Sequence, residues 1–194
     1  QLEPVTPFPS PSRKPELLQL AQWVPNSEAL IMVHENDIYY RRSPIASEVI
    51  RLTNTGKRDE IFNGITDHLY REYILHKTEA LWVSPDQTYL CYATFNDSMV
   101  KTVDTANPVA TLWVIKLENL STTDEIEKKD LKPPTRVKDE SVRVWFVVTF
   151  WDHYFTDAKW IDEESISVVW RNRHQNISVA TLCTSPLWFC KEVN

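Results

Sequence analysis

Asn63–Asp97 reads NGITDHLYREYILHKTEALWVSPDQTYLCYATFND, and it joins one short helix-like insertion to one strand pair of a repeated unit. From Ala80 to Asn96 it is a strand, a Ser84-Pro85-Asp86-Gln87 turn and a second strand, because proline presets the turn and aromatic and β-branched residues flank it. The head of the stretch has a different period. Between Thr66 and His76, Leu69, Tyr70, Tyr73 and Ile74 recur at three- and four-residue steps, and Thr66 or Asp67 offers an N-cap oxygen, so the spacing predicts a short helix.

Working outward, the strand-pair pattern recurs. Ala21-Gln22-Trp23-Val24-Pro25 precedes strands at Ala29–His34 and Asp37–Arg41 with a Glu35-Asn36 turn. Ala158-Lys159-Trp160-Ile161-Asp162 precedes Ile166–Arg171 and then Ile177–Cys183. The unit is Ala-x-Trp-(Val/Ile), a polar turn, a strand, a hairpin and another strand. Trp23, Trp82 and Trp160 are 59 and 78 residues apart, longer than the ~40–50 residues of compact propeller blades, so insertions fill the difference. The first is the helix near Tyr70–His76. The second is the polar run Glu118–Glu140, whose mixed charges and Pro133-Pro134 predict a solvated loop. The three tryptophans are expected to pack successive sheets together. Val109–Leu117 and Val142–Trp151 are apolar on both faces, as in strands covered on either side. The fold class is therefore all-β, a partial β-propeller of about three four-stranded blades with a short helical insertion. An arc of that size has two unclosed edges. Residues 1–20 form a Pro-rich connector and 21–194 the propeller part.

Twenty-one basic and twenty-seven acidic residues give a net charge of -6, which disfavours a broad nucleic-acid surface. The longest dense apolar run, Val142–Trp151, is interrupted by Arg143 and falls short of the ~20 residues a spanning helix needs. The chain starts at Gln1 with no charged-then-apolar leader, so any signal or anchor is expected outside it. Cys183 and Cys190 bracket a loop between strand-like flanks, a separation that a hairpin-closing disulfide can span. Cys91, inside Tyr89–Ala93, is expected to be a buried free thiol. Sequons at Asn96, Asn119 and Asn176, taken with the cysteine pair, predict a glycosylated, extracellular or lumenal protein.

The combination Asn36-Asp37-Ile38-Tyr39, Asn63-Gly64-Ile65-Thr66-Asp67, Leu81-Trp82-Val83-Ser84-Pro85-Asp86 and Phe95-Asn96-Asp97-Ser98, in that order, resembles dipeptidyl peptidase IV and its relatives. Lys159-Trp160, Gln175-Asn176-Ile177-Ser178 and Cys183 resemble the later blades of the same propeller. The resemblance implies a propeller set over a downstream α/β-hydrolase domain in a serine exopeptidase that releases N-terminal dipeptides, anchored at the cell surface. It implies a peptide substrate or a protein partner bound through the propeller, and a homodimer. Some relatives are instead non-catalytic accessory subunits of membrane channels. In the family, adjacent glutamates on a short projecting helix hold the substrate's amino terminus, a task that suits two carboxylates because an ammonium has three donors. The matching stretch is Tyr70-Arg71-Glu72-Tyr73, so Glu72 falls on the first position, Tyr73 on the second, and Arg71 adds a cation beside it. Only Lys101–Ala106 separates Asn96-Asp97-Ser98 and the two residues after it from Asn107-Pro108, where relatives have a longer segment.

With Gly56 and Gly64 as the only glycines, a Gly-x-Ser-x-Gly nucleophile elbow cannot be built. No catalytic residue is therefore assigned. His34, His68, His76, His153 and His174 show no metal-type pairing and are expected on surfaces or in turns; no metal or cofactor is expected. If the chain truly stops at Asn194, a truncated product without a stable fold is the remaining expectation.

Overall fold

The structure is a computed structural model that describes residues 17–46, 48–100, 107–121, 125–138 and 153–193. The connector over residues 1–16, the expected strand Val142–Trp151 and the short Lys101–Ala106 segment lie outside the described residues.

Three antiparallel sheets follow one another in chain order. The first contains β1 (Leu20–Trp23), β2 (Leu30–His34), β3 (Asp37–Arg41) and β4 (Ile50–Arg51). Its β2–β3 turn is made by Glu35 and Asn36 at φ 49° and 64°, the left-handed pair that a two-residue hairpin requires. The second sheet holds β5 (Ile61–Asn63), β6 (Leu81–Val83), β7 (Tyr89–Asn96), β8 (Val109–Lys116) and β9 (Lys128–Leu131). The third holds β10 (His153–Trp160), β11 (Ser165–Asn172), β12 (Ser178–Thr184) and β13 (Phe189–Glu192).

The second sheet is the middle layer, and strand alternation explains how it serves two interfaces. Leu90, Tyr92, Ile115 and Leu117 pack with Ile31, Val33 and Ile38 of the first sheet. Cys91, Ala93, Phe95, Leu112 and Val114 pack with Phe155, Val168 and Trp170 of the third. Each fully buried large side chain contributes roughly 1.5–3 kcal/mol relative to exposure.

A buried polar network also ties the first two sheets together. Asp37, 1 % exposed, accepts at Oδ1 from Thr53 Oγ1 (2.7 Å), Gly56 N (2.9 Å) and Asn63 Nδ2 (3.0 Å), and at Oδ2 from Arg51 Nη2 (2.6 Å). Asn63 N donates to Asn36 O, and Thr94 Oγ1 donates to Asn63 Oδ1. The Asn36-Asp37 and Asn63-Gly64 motifs thus form one joint between successive sheets. A Cβ on Gly56 would stand 2.7 Å from the backbone of Asn36 and Glu35, and Gly64 combines φ +72° with contact against Ile38, so neither position tolerates a side chain freely.

Four expectations need correction. The tryptophans do not play one packing role: Trp82 and Trp160 join the interface of the second and third sheets, but Trp23 is 55 % exposed. It pairs with Leu30, which lies with Met32 and Tyr39 on the face turned away from the second sheet. The Ala-x-Trp motif marks a strand but not its face, because a one-residue difference in register reverses every side chain. The polar run after Glu118 is not all loop. It contains β9 and a 3₁₀ turn at Thr135–Val137, buries Leu131 and Val137, and sets Lys128 over the Trp113 ring at 5.2 Å. His34 and His153 are buried on strands rather than exposed, His153 lying 5.5 Å from the Trp170 ring. The predicted Thr66–His76 helix is present but shorter, over residues 68–74, and its Tyr70–Ile74 part is widened, as described next.

Candidate functional site

The insertion leaves the middle sheet through a closed stem. β5 and β6 pair with the same edge of β7, at Phe95 and Cys91 respectively, and Ala93 sits between the two stretches. Gly64 N donates to Ala93 O, Ala93 N to Ala80 O and Ala80 N to Gly64 O, each at 2.9 Å. An Ile65–Glu79 bridge and Thr66 N donating to Thr78 O extend the stem.

Asp67 supplies the cap: Oδ2 accepts from Leu69 N (2.9 Å) and Oδ1 from Tyr70 N (3.2 Å). Burial pushes the Asp67 carboxyl above its ordinary value, while those backbone N–H groups pull it down. Thr66 Oγ1 instead donates to Lys77 O and Thr78 O. Tyr70–Ile74 then forms a turn of i→i+5 type, with Leu75 N donating to Tyr70 O at 2.8 Å. With both ends pinned by the stem, the wide turn lets Tyr70 enter the core. Its ring lies 4.5 Å from Phe95 and 5.1 Å from Phe155, and its hydroxyl accepts from Phe155 N at 3.4 Å. Tyr73, expected on the apolar side, is 73 % exposed.

Glu72 projects from this anchored turn. Its Oε1 lies 3.1 Å from Arg71 Nε, with side chains 50 % and 44 % exposed. The carboxylate that the resemblance implies for an amine faces the Arg71 cation, in a surface pair of the kind worth roughly 0–1 kcal/mol. Beside the turn, a cleft of about 290 Å³ is bounded by Leu69, Tyr73 and Ile74 on one side and Arg171 of β11 on the other; Glu72 does not line it.

The other expected sites are dispersed. Cys183 and Cys190 are cross-strand partners on β12 and β13 and form a disulfide, with Cα atoms 4.0 Å apart. Trp188 in their loop turns inward, 4 % exposed, against Tyr89 and Trp160. Cys91 is fully buried and free, and burial pushes its thiol pKa up. Asn119 and Asn176 are exposed in turns, whereas Asn96 is half-buried at the end of β7 with its Oδ1 accepting from Ser98 N. Arg171 escaped the sequence reading because an arginine ending a strand carries no signal of a cleft beside it.

Comparison with known proteins places this geometry. The model of the dipeptidyl peptidase IV N-terminal region matches residues 3–191. Dipeptidyl peptidase 4 of Bos taurus is 32 % identical across 88 % of this chain and 24 % of its own length. Inactive dipeptidyl peptidase 10 of Mus musculus is 34 % identical across 93 % of this chain and 23 % of its own. The crystal structure of Porphyromonas gingivalis dipeptidyl peptidase 4 superposes with a TM-score of 0.70 at 15 % identity, covering 91 % of this chain and 25 % of that one, a likeness of fold. The chain thus spans about a quarter of the length of these curated relatives.

Proposed function

Because this chain belongs to the dipeptidyl peptidase IV family through its N-terminal propeller region, we propose that it is the propeller module of a dipeptidyl-peptidase-like serine exopeptidase. It supplies framework and substrate access, while nucleophile, base and oxyanion hole belong to a hydrolase domain elsewhere in a longer protein. The observation that carries this reading is the pinned stem, which holds a helical turn with an outward carboxylate at a fixed place on the middle blade. An incoming ammonium would displace Arg71 from Glu72 at little cost. The test is a fluorophosphonate label and release of Xaa-Pro dipeptides by the longer protein. Labelling with turnover supports the reading, and neither occurring in folded protein overturns it. Glu72→Gln should then raise KM for free-amine substrates and leave N-acetylated ones unaffected.

A second reading, a non-catalytic protein-interaction module of a membrane glycoprotein, draws on the Arg71–Glu72 pair and exposed Tyr73, which make an amine site of one already neutralised carboxylate. A folded, unlabelled longer protein is its signature. Both readings carry the same address: an extracellular or cell-surface protein, glycosylated at Asn119, Asn176 and Asn96. The exposure of the first two and the Cys183–Cys190 disulfide support it. An N-glycosidase should shift the mobility of the native protein; no shift in protein from membrane or secreted fractions would refute the address.

A further inference from the structure

Strand alternation on β11 turns Trp170 into the sheet interface and its neighbour Arg171 the other way, to the cleft beside the helical turn. The Nε of Arg171 is buried and has no hydrogen-bond partner. No ion pair is recorded for its guanidinium among the described residues. A buried donor without an acceptor is costly in a native fold, and such a group marks a place where a partner belongs. An arginine meets a carboxylate with two parallel N–H donors, and at Arg171 one of that pair, the Nε–H, has no acceptor within the described fold. Thr156 and Gln175 add a hydroxyl and an amide to the same cleft. Leu69, Tyr73 and Ile74 give it an apolar wall, and among the described residues no carboxylate side chain lines it to compete.

We infer that this cleft is a binding site for the acidic side chain of a peptide or protein ligand, held side-on by Arg171. The volume, about 290 Å³, suits a Glu or Asp side chain with adjoining backbone. The site shares the insertion's wall but not Glu72, and it stands whether or not the longer protein hydrolyses peptides.

The test is an NMR titration of the full chain, observing arginine Nε–H resonances, with N-acetyl-glutamate amide as probe and N-acetyl-glutamine amide as its neutral isostere. The Arg171 resonance should move with the acidic probe, saturate, and stay still with the isostere. Arg171→Gln should weaken binding by about 10-fold or more, and Arg171→Lys should restore it only in part, because a point charge lacks the fork. Arg173→Gln, a neighbour that does not line the cleft, should bind as the parent does. Equal response to both probes, equal response to inorganic phosphate, or no response of Arg171 in the parent chain would each overturn the assignment. The parent titration decides the matter even if a variant fails to fold.

Discussion

Replacing Asp37 by alanine should separate the first two sheets energetically more than any apolar truncation of similar size. Its Oδ1 receives three donors, from Thr53, Gly56 and Asn63, and its Oδ2 receives Arg51. Alanine leaves Thr53 Oγ1 and Gly56 N without that acceptor in a place where Asp37 itself is 1 % exposed, while Asn63 Nδ2 keeps Asn36 O and Thr55 Oγ1. Orphaned buried donors cost roughly 1–3 kcal/mol each. Arg51, whose side chain is 52 % exposed, recovers water and adds little. The expected loss is about 3–5 kcal/mol. With a urea m-value of about 2 kcal/mol/M, the midpoint falls by about 2 M. Asp37→Asn keeps an acceptor at Oδ1 for the buried donors but sets an amide N–H against Arg51 Nη2, whose half-exposed side chain can turn to water, so it should cost about 1 kcal/mol, roughly 0.5 M. Equilibrium urea unfolding followed by tryptophan fluorescence reads both. Equal shifts for the two variants, or an alanine shift under about 0.5 M, would show that the carboxylate's hydrogen bonds are not what couples the sheets.

Gly56→Ala places a methyl 2.7 Å from the Asn36 and Glu35 backbone and should destabilise by about 2 kcal/mol or more; a stability within 0.5 kcal/mol of the parent would contradict that close approach. Cys91, buried and with its thiol pKa raised, should resist iodoacetamide in native protein and react only through the unfolding transition, so alkylation without loss of structure would be a refutation. Asp67 has its folded pKa raised by burial. Its contribution to stability is therefore greatest below the unfolded carboxylate range and is lost as pH rises through the folded value. Asp67→Asn, which keeps one of the two cap oxygens, should flatten the acid limb of the stability–pH curve and cost less at pH 7 than Asp67→Ala, which should cost about 1 kcal/mol; an Asn variant as damaging as Ala would refute the account.

Much of the fold could be read from residues with a single local meaning. Glu35-Asn36 and Ser84-Pro85-Asp86-Gln87 announced their hairpins, and β8 showed its double burial because apolar residues occupy both alternating sets. What could not be read was the partner of each face. Trp23, Trp82 and Trp160 share a motif and each pairs with the next strand, yet which neighbouring sheet, if any, covers that face is set by packing the motif does not encode. Lys128–Leu131 looks like loop because only one of its side chains is fully buried; pairing with β8 makes it a strand. At the candidate site, the Glu72 position was visible from sequence resemblance, but its pairing with Arg71 and the cleft at Arg171 needed coordinates. The cleft brings residue 69 against residue 171 across two sheets.

The three-bond closure among Gly64, Ala93 and Ala80 gives the middle blade a socket. The ladder resumes on the far side of the excursion as though nothing intervened, so the blade's hydrogen bonding is insulated from the excursion's exposed residues, while Tyr70 stays tied to the core. Lengthening such a loop is inexpensive, about 0.6 kcal/mol for each doubling. Descent could therefore rewrite the exposed Arg71, Glu72 and Tyr73, keeping Tyr70 as the core anchor, without renegotiating the framework. An engineer could do the same, exchanging residues 71–73 while leaving Tyr70 and the hydrogen-bonded stem untouched.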